Sequence, residues 1–188
     1  MVYQTSDFRN GIKVLIDSQP YVMTYFQFVK PGKGTAFTRT KLKNLITGNV
    51  IERTFRTGET LEAADCEDVN MQYQWLDGDM YNFMNMETFE TVGIPIEIMS
   101  GTELYLLDNL ECTVTMFEGR PVGLVLPNFI EAEITYCEPG VRGNTAQGAT
   151  KPATIAPGAT VQVPLFVDQG EIIKVDTRDG SYVGRVTK

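Results

Sequence analysis

Turn signals recur along this chain at intervals too short for helices. "DSQP" at 17–20, "PGKG" at 31–34, "TG" at 47–48, "TGET" at 57–60, "LDGD" at 76–79, "EGRP" at 118–121 and "RDG" at 178–180 punctuate it. Each contains residues that either accept positive φ or preset a turn. The runs between them, such as "GIKVLI", "YVMTYFQFV", "GEIIKVDT" and "SYVGRV", are rich in β-branched and aromatic residues. Strands fit such spacing and helices do not. The one short helix or turn expected lies around residues 102–109. The stretch 138–158, "EPGVRGNTAQGATKPATIAPG", reads as a loop rich in Gly, Pro, Ala and Thr. Many short strands with regular turns predict an all-β chain of small barrels.

Charge divides the chain. Residues 1–64 hold nine Lys/Arg and five Asp/Glu, a net of +4. Residues 65–127 hold twelve acids and one base, Arg120, a net of −11. Residues 128–188 hold seven acids and six bases, a net of −1. These boundaries predict three barrels of roughly 60 residues, domains small enough to be marginal alone. A basic module suits a polyanion, which an acidic one repels. The middle segment therefore faces solvent or a basic protein.

Composition narrows the chemistry. The chain has no histidine, and its three cysteines, Cys66, Cys112 and Cys137, have no metal-like spacing. Free, mostly buried thiols are the expectation, with no metal and no cofactor. No apolar run reaches the ~20 residues that span a bilayer. The opening "MVYQTSDFRN" lacks a signal-peptide pattern, so a cytoplasmic location is expected. Carboxylate-based hydrolysis in the acidic segment is a rival reading, but those acids are spaced as surface turns. A generic single-strand nucleic-acid-binding barrel protein is another, and the net charge of residues 65–188 counts against it.

The stretch "FVKPGKGTAF", residues 28–37, carries a lysine, Lys33, between Gly32 and Gly34. It reads as a hairpin tip that points one amine outward. On the following strand Phe37, Arg39, Lys41 and Lys43 fall on one parity, and Thr38, Thr40, Leu42 and Asn44 on the other. With Lys30 and Lys33, these cations repel one another unless an anionic partner meets them. From the loop alone, Lys33 is an ordinary solvated lysine. In the middle segment, "LDGD" is an Asp-Gly hairpin turn. Tyr73 and Trp75 before it, and Tyr81 and Phe83 after it, alternate as strand residues in core or cross-strand packing.

Several stretches together resemble the bacterial elongation factor P family: "DFRNGIKVLIDSQPY", "FVKPGKGTAF", "KLKNLITGNVIERTFRTGE", "LPNFIEAEI" and "KPATIAPGATVQVPLFVDQGEIIKVDTRDGSYVGRV". The resemblance runs across essentially the whole chain. It implies an SH3-like (KOW-type) domain at 1–64, then OB-fold domains at 65–127 and 128–188, in a tRNA-like L shape. It implies a monomeric, non-enzymatic factor that binds the ribosome beside the P-site tRNA and relieves stalling at consecutive prolines. Lys33 then stands at the modified position. A lysyl-tRNA-synthetase-like enzyme adding a β-lysyl group is the modification implied; other lineages of the family use an aminopentanol extension or a rhamnosylated arginine. Lys30, Gly32, Gly34 and Arg39 accompany Lys33 in tRNA or ribosome contact. Gly143, Asn144 and Thr145 stand at the family's codon-side Gly-Asp-Thr, with Asn for Asp. Thr35 stands where Gln is common. These departures leave open a paralogue with altered codon or tRNA preference. Tyr182 and Arg185 match tRNA-touching positions; by themselves they read equally as a packed tyrosine and a solvated arginine.

Overall fold

The computed structural model describes residues 1–139 and 148–186. Its strands form three antiparallel sheets, each built from one consecutive run of the chain. The first run gives β1 (Val2–Gln4), β2 (Lys13–Ile16), β3 (Gln19–Val29), β4 (Phe37–Asn44), β5 (Val50–Arg56) and β6 (Thr60–Ala63), in sheet order β1-β6-β2-β3-β4-β5. The second gives β7 (Cys66–Asp77), β8 (Met80–Asn85), β9 (Thr91–Pro95), β10 (Glu111–Phe117) and β11 (Arg120–Val125), in order β11-β10-β7-β8-β9. The third gives β12 (Phe129–Cys137), β13 (Thr150–Ile155), β14 (Thr160–Pro164), β15 (Ile172–Asp176) and β16 (Ser181–Arg185), in order β14-β13-β12-β15-β16. The chain is thus all-β, with barrel-like sheets. Its backbone packs as two compact units: Met1–Asp68 with Thr115–Gly123, and Val69–Val114 with Leu124–Lys188.

The turns do what their residues dictate. Asp17 and Ser18 both take positive φ, 51° and 61°, in a two-residue loop between Ile16 and Gln19. That is the type I′ pattern, whose twist matches the flanking strands. Gly78 alone takes positive φ (60°) in the two-residue loop between Asp77 and Met80, the type II′ pattern. The short helix or turn expected around 102–109 is a 3-10 turn at Thr102–Tyr105, and a one-turn helix that was not expected, α1 (Ile96–Met99), precedes it. Ser100 and Gly101, at φ 53° and 91°, separate the two. Among the described residues no helix is long and apolar enough to cross a membrane.

Two cores show how alternation becomes packing. In the first sheet Phe8, Val14, Met23, Leu42 and Phe55 are buried together. Phe8 and Phe55 meet edge to face at 5.4 Å. In the third, β12 alternates so that Ile130, Ala132 and Ile134 point inward, to join Ala153, Ile155, Val161, Ile173 and Val175. The loop expected over 138–158 is here a strand at 150–155, because Lys151, Ala153 and Ile155 alternate inward although two of them are not typical strand formers. All three cysteines are free thiols; Cys112 and Cys137 are buried, and burial pushes the Cys112 thiol up to about 12.

Candidate RNA-facing finger

β3 and β4 pair from Tyr21↔Asn44 to Val29↔Phe37 and carry the seven residues 30–36 at their tip. Seven residues of paired strand, from Met23 to Val29, reach about 20 Å. The inner half of β3 is in the core, with Met23 fully buried, whereas residues 24–28 are exposed. Thr57 anchors the loop's base: its amide and hydroxyl both donate to the Ala36 carbonyl, at 3.2 and 3.1 Å.

The two glycines of the tip do different work. Gly34 sits at φ +116°, a conformation L side chains rarely adopt. Gly32 does not need positive φ, and a Cβ there would meet nothing within 4 Å. Gly34 therefore shapes the loop, and Gly32 only keeps it narrow. Lys30, Gly32, Lys33 and Gly34 are all exposed. Among the described residues neither lysine has a salt bridge.

The alternation along β4 holds: Thr38, Thr40, Leu42 and Asn44 are buried, and Arg39 and Lys41 are exposed. Two of the three buried polar residues, Thr40 and Asn44, are satisfied by side-chain hydrogen bonds. The Thr40 hydroxyl donates to the Arg53 carbonyl at 2.9 Å. Asn44 donates to Gln19 Oε1 at 2.6 Å, while its own Oδ1 accepts from the amides of Ile46 and Thr47. Asn44 thus ties the β4–β5 turn to the core side of the finger.

A bulge between Met23 and Tyr25 makes Thr24 an extra residue in β3 and flips the parity of everything beyond it. Tyr25 therefore joins Lys41 and Glu52 in one row, Gln27 joins Arg39 and Thr54, and Val29 joins Phe37 and Arg56. The outer face becomes a column of Lys41, Arg39 and Arg56 that leads toward Lys30 and Lys33. An open depression of about 650 Å³ lies on this sheet, lined by Tyr25, Gln27, Arg39, Lys41 and Arg53 among others. Lys41 is partly neutralised by Glu52 at 3.2 Å, while Arg39 lies over the Phe37 ring at 5.5 Å with no carboxylate partner among the described residues. Tyr25, Arg53 and Arg56 were not among the residues expected at the site. The alternation of "VIERTFR" contains the signal for Arg56; the bulge that moves Tyr25 to this face leaves no mark in composition.

The remaining expected residues lie elsewhere. Tyr182 packs against the core of the third sheet. Arg185 pairs with Glu171 at 3.1 Å and lies over Phe166 at 5.0 Å. The Asp168 amide holds the Glu171 carboxyl below its usual range; desolvation opposes it, and the hydrogen bond and charge of Arg185 add to the lowering. Nearby, Arg178 grips Asp176 with both side-chain and backbone donors and brings its carboxyl down to about 2. Gly143, Asn144 and Thr145 lie outside the described residues. Among the described residues no three His, Cys, Asp or Glu side chains cluster to hold a metal.

Comparison with known proteins bears on the whole chain. The elongation factor P KOW-like domain matches residues 4–61, its OB domain 66–124, and its C-terminal domain 130–185. An elongation factor P from Pectobacterium atrosepticum is 49% identical over 184 residues, covering 98% of both chains. A solved structure of eukaryotic translation initiation factor 5A from Methanococcus jannaschii superposes with a TM-score of 0.53 at 24% identity, covering 68% of this chain and 92% of that one, a likeness of fold. With three domain matches in order and near-complete coverage by a curated relative, the chain belongs to the elongation factor P family.

Proposed function

We propose that this protein is a translation elongation factor that binds the ribosome beside the P-site tRNA and promotes peptide-bond formation where consecutive prolines stall it. One observation carries the reading: Lys33 stands exposed in the loop that joins β3 and β4, at the end of a three-stranded β3-β4-β5 sheet whose outer face carries a column of cations. RNA is the polyanion such a column suits, because each neutralised phosphate releases counterions. Proline's ring fixes φ and restricts its neighbour, so a proline-rich nascent chain holds the reacting ends poorly. A cation that steadies the acceptor end of the tRNA restores orientation without itself reacting, and orientation alone can contribute several kcal/mol. The protein in this reading is not an enzyme; the ribosome performs the chemistry.

Lys33 in this reading is lengthened by a β-lysyl group, installed by a lysyl-tRNA-synthetase-like enzyme. Lys30, Gly32, Gly34 and Arg39 frame it. Gly143, Asn144, Thr145, Tyr182 and Arg185 supply further tRNA and codon-side contacts, and the factor works as a cytoplasmic monomer. The test is reconstituted translation of a message with three consecutive proline codons. Lys33→Ala should give no rescue above the factor-free level while its thermal midpoint matches wild type, since an exposed loop side chain contributes at most about 0.5 kcal/mol. Rescue equal to wild type overturns the proposal. Mass mapping of the peptide spanning residues 28–39, from protein made in its native host, decides whether the addition is β-lysyl.

A further inference from the structure

The second sheet carries an exposed apolar face that the RNA-facing finger does not use. Tyr73, Tyr81 and Phe83 pack together, with Tyr73 5.5 Å from Phe83 and 6.1 Å from Tyr81. Trp75 does not join them. A bulge between Tyr73 and Trp75 pairs Tyr73 with Phe83 but Trp75 with Asn82, so the two aromatics, two residues apart, face opposite ways. Of the core or cross-strand role expected for Trp75, the core half is corrected: it stands across from Asn82, 50% exposed on the outer face.

The rest of that face is legible from register. The row Trp75–Asn82–Gly93 is followed by the row Asp77–Met80–Pro95. Met80, 40% exposed, lies across Gly93, where a Cβ would come within 2.8 Å of its methyl. Gly93 thus leaves the bed in which Met80 rests. The amide of Ile96, itself 40% exposed, donates to the Asp79 carbonyl at 3.0 Å and fixes the β7–β8 loop against the end of β9. Asp77 and Asp79 stand exposed at the edge of this surface.

OB folds bind oligonucleotides on the face of their second and third strands and with the loop between the first two. In this sheet those are β8, β9 and the β7–β8 loop. The location suits a ligand, and the charge opposes a nucleic acid. Residues 65–127 hold twelve acids against Arg120 alone. Among the described residues, no carboxylate between 69 and 127 has a cation within 4.0 Å. Phosphate is repelled there, and Lys or Arg is attracted. Trp and Met are enriched at the centres of protein interfaces, and Met adapts its shape to a partner.

We propose that the outer face of β7, β8 and β9, with Trp75 and Met80 as apolar anchors and Asp77 and Asp79 as charge partners, docks a cationic polypeptide segment that carries apolar side chains between its Lys or Arg residues. Trp75 is the chain's single tryptophan, so its emission reports on this face directly. The test titrates the full chain with three probes: a synthetic peptide of alternating lysine and leucine, a charge-matched peptide of lysine and serine, and an oligouridine RNA. The lysine–leucine peptide should shift Trp75 emission to shorter wavelength and saturate, and added salt should weaken it. Met80→Gln, and separately Asp77→Asn with Asp79→Asn, should each weaken that binding on the order of tenfold. Glu67→Gln, eight residues earlier than Trp75, should leave it unchanged. No saturable shift, equal binding of the lysine–serine peptide, equal loss with Glu67→Gln, or a response to oligouridine in place of the peptide overturns the proposal, the last by giving the face to RNA.

Discussion

The β3–β4 finger and the β7–β8 hairpin share a device and differ in sign. In each, a core residue, Met23 or Tyr73, is followed by one extra residue that shifts the strand's phase. In each, an aromatic thereby changes face: Tyr25, on a stretch where Phe26 and Phe28 of the other face are exposed as well, joins the row of Lys41, and Trp75, 50% exposed, joins the row of Asn82. Tyr25 emerges in the row of Lys41, next to the row of Arg39; Trp75 emerges next to the row of Asp77, on the hairpin whose turn carries Asp79. An exposed aromatic on a strand thus leaves the partner undetermined. The charge around it makes the difference, because phosphate and ammonium respond to the same field with opposite sign.

The largest expected effect separates aromatics in phase with the core from the one the bulge expels. Phe83 is fully buried, so Phe83→Ala should cost about 3–5 kcal/mol through lost transfer energy and the cavity left behind. Trp75→Ala should cost about 1 kcal/mol or less, as a half-exposed surface change. Urea unfolding followed by circular dichroism checks both. Equal losses would mean that Trp75 is a core residue in solution and would remove the parallel with Tyr25.

Much of the fold was legible in the sequence, for reasons these hairpins make plain. Turn chemistry at "DSQP" and "LDGD" placed two hairpins, since few residue pairs accept positive φ. Alternation along β4 placed Thr38, Thr40 and Asn44 on the side of Leu42, although only the structure shows how Asn44 is satisfied there. Lys33 at an exposed tip followed from Pro and Gly around it. The bulges did not show, because one inserted residue reverses a face without changing composition. β13 did not show either, since in "TKPATI" Lys151, Pro152 and Ala153, all depleted in strands, interrupt Thr150, Thr154 and Ile155.

Next in size is the response to charge. Affinity for ribosomes should fall with salt, and Arg39→Glu should weaken it about tenfold and lower the salt slope by about one. Lys41→Glu should do less, because Glu52 already offsets Lys41 at 3.2 Å. Glu118→Lys, in the acidic stretch, should change affinity by about twofold or less. A larger effect at Glu118 than at Arg39 would reverse the assignment of the two charge fields.

A smaller effect concerns carboxylates with and without a cation. Burial pushes the Asp68 carboxyl up, but hydrogen bonds from Lys13 (2.6 Å) and Thr115 (2.7 Å), with the Lys13 charge, hold it below its usual value. A depressed folded-state value adds stability above the ordinary aspartate range near ~3.9, and that stability is lost as pH falls through the lower folded value. Lys13→Met should therefore raise the Asp68 titration and shrink this acid-sensitive part of the stability, read by carboxyl NMR alongside acid unfolding. An unmoved Asp68 titration would show that Lys13 does not set it.

The smallest effects test what each hairpin's glycine is for. Gly34 and Gly78 both sit at positive φ, 116° and 60°, whereas Gly32 does not require it. Alanine at Gly34 or Gly78 should strain the loop by about 1 kcal/mol. At Gly78 the change should lower the thermal midpoint slightly and leave proline rescue alone, since that loop belongs to the acidic face. At Gly34 it should reshape the tip and reduce rescue several-fold. Gly32→Ala meets no atom within 4 Å in the free protein, so its midpoint should equal wild type. Any loss of rescue in Gly32→Ala then reports only on the width available to the finger once it is bound. A few-fold loss would mean that the partner's walls close on the tip at Gly32. Full activity would mean that Gly34 alone sets the tip, and that slimness at Gly32 has no part in reaching the tRNA.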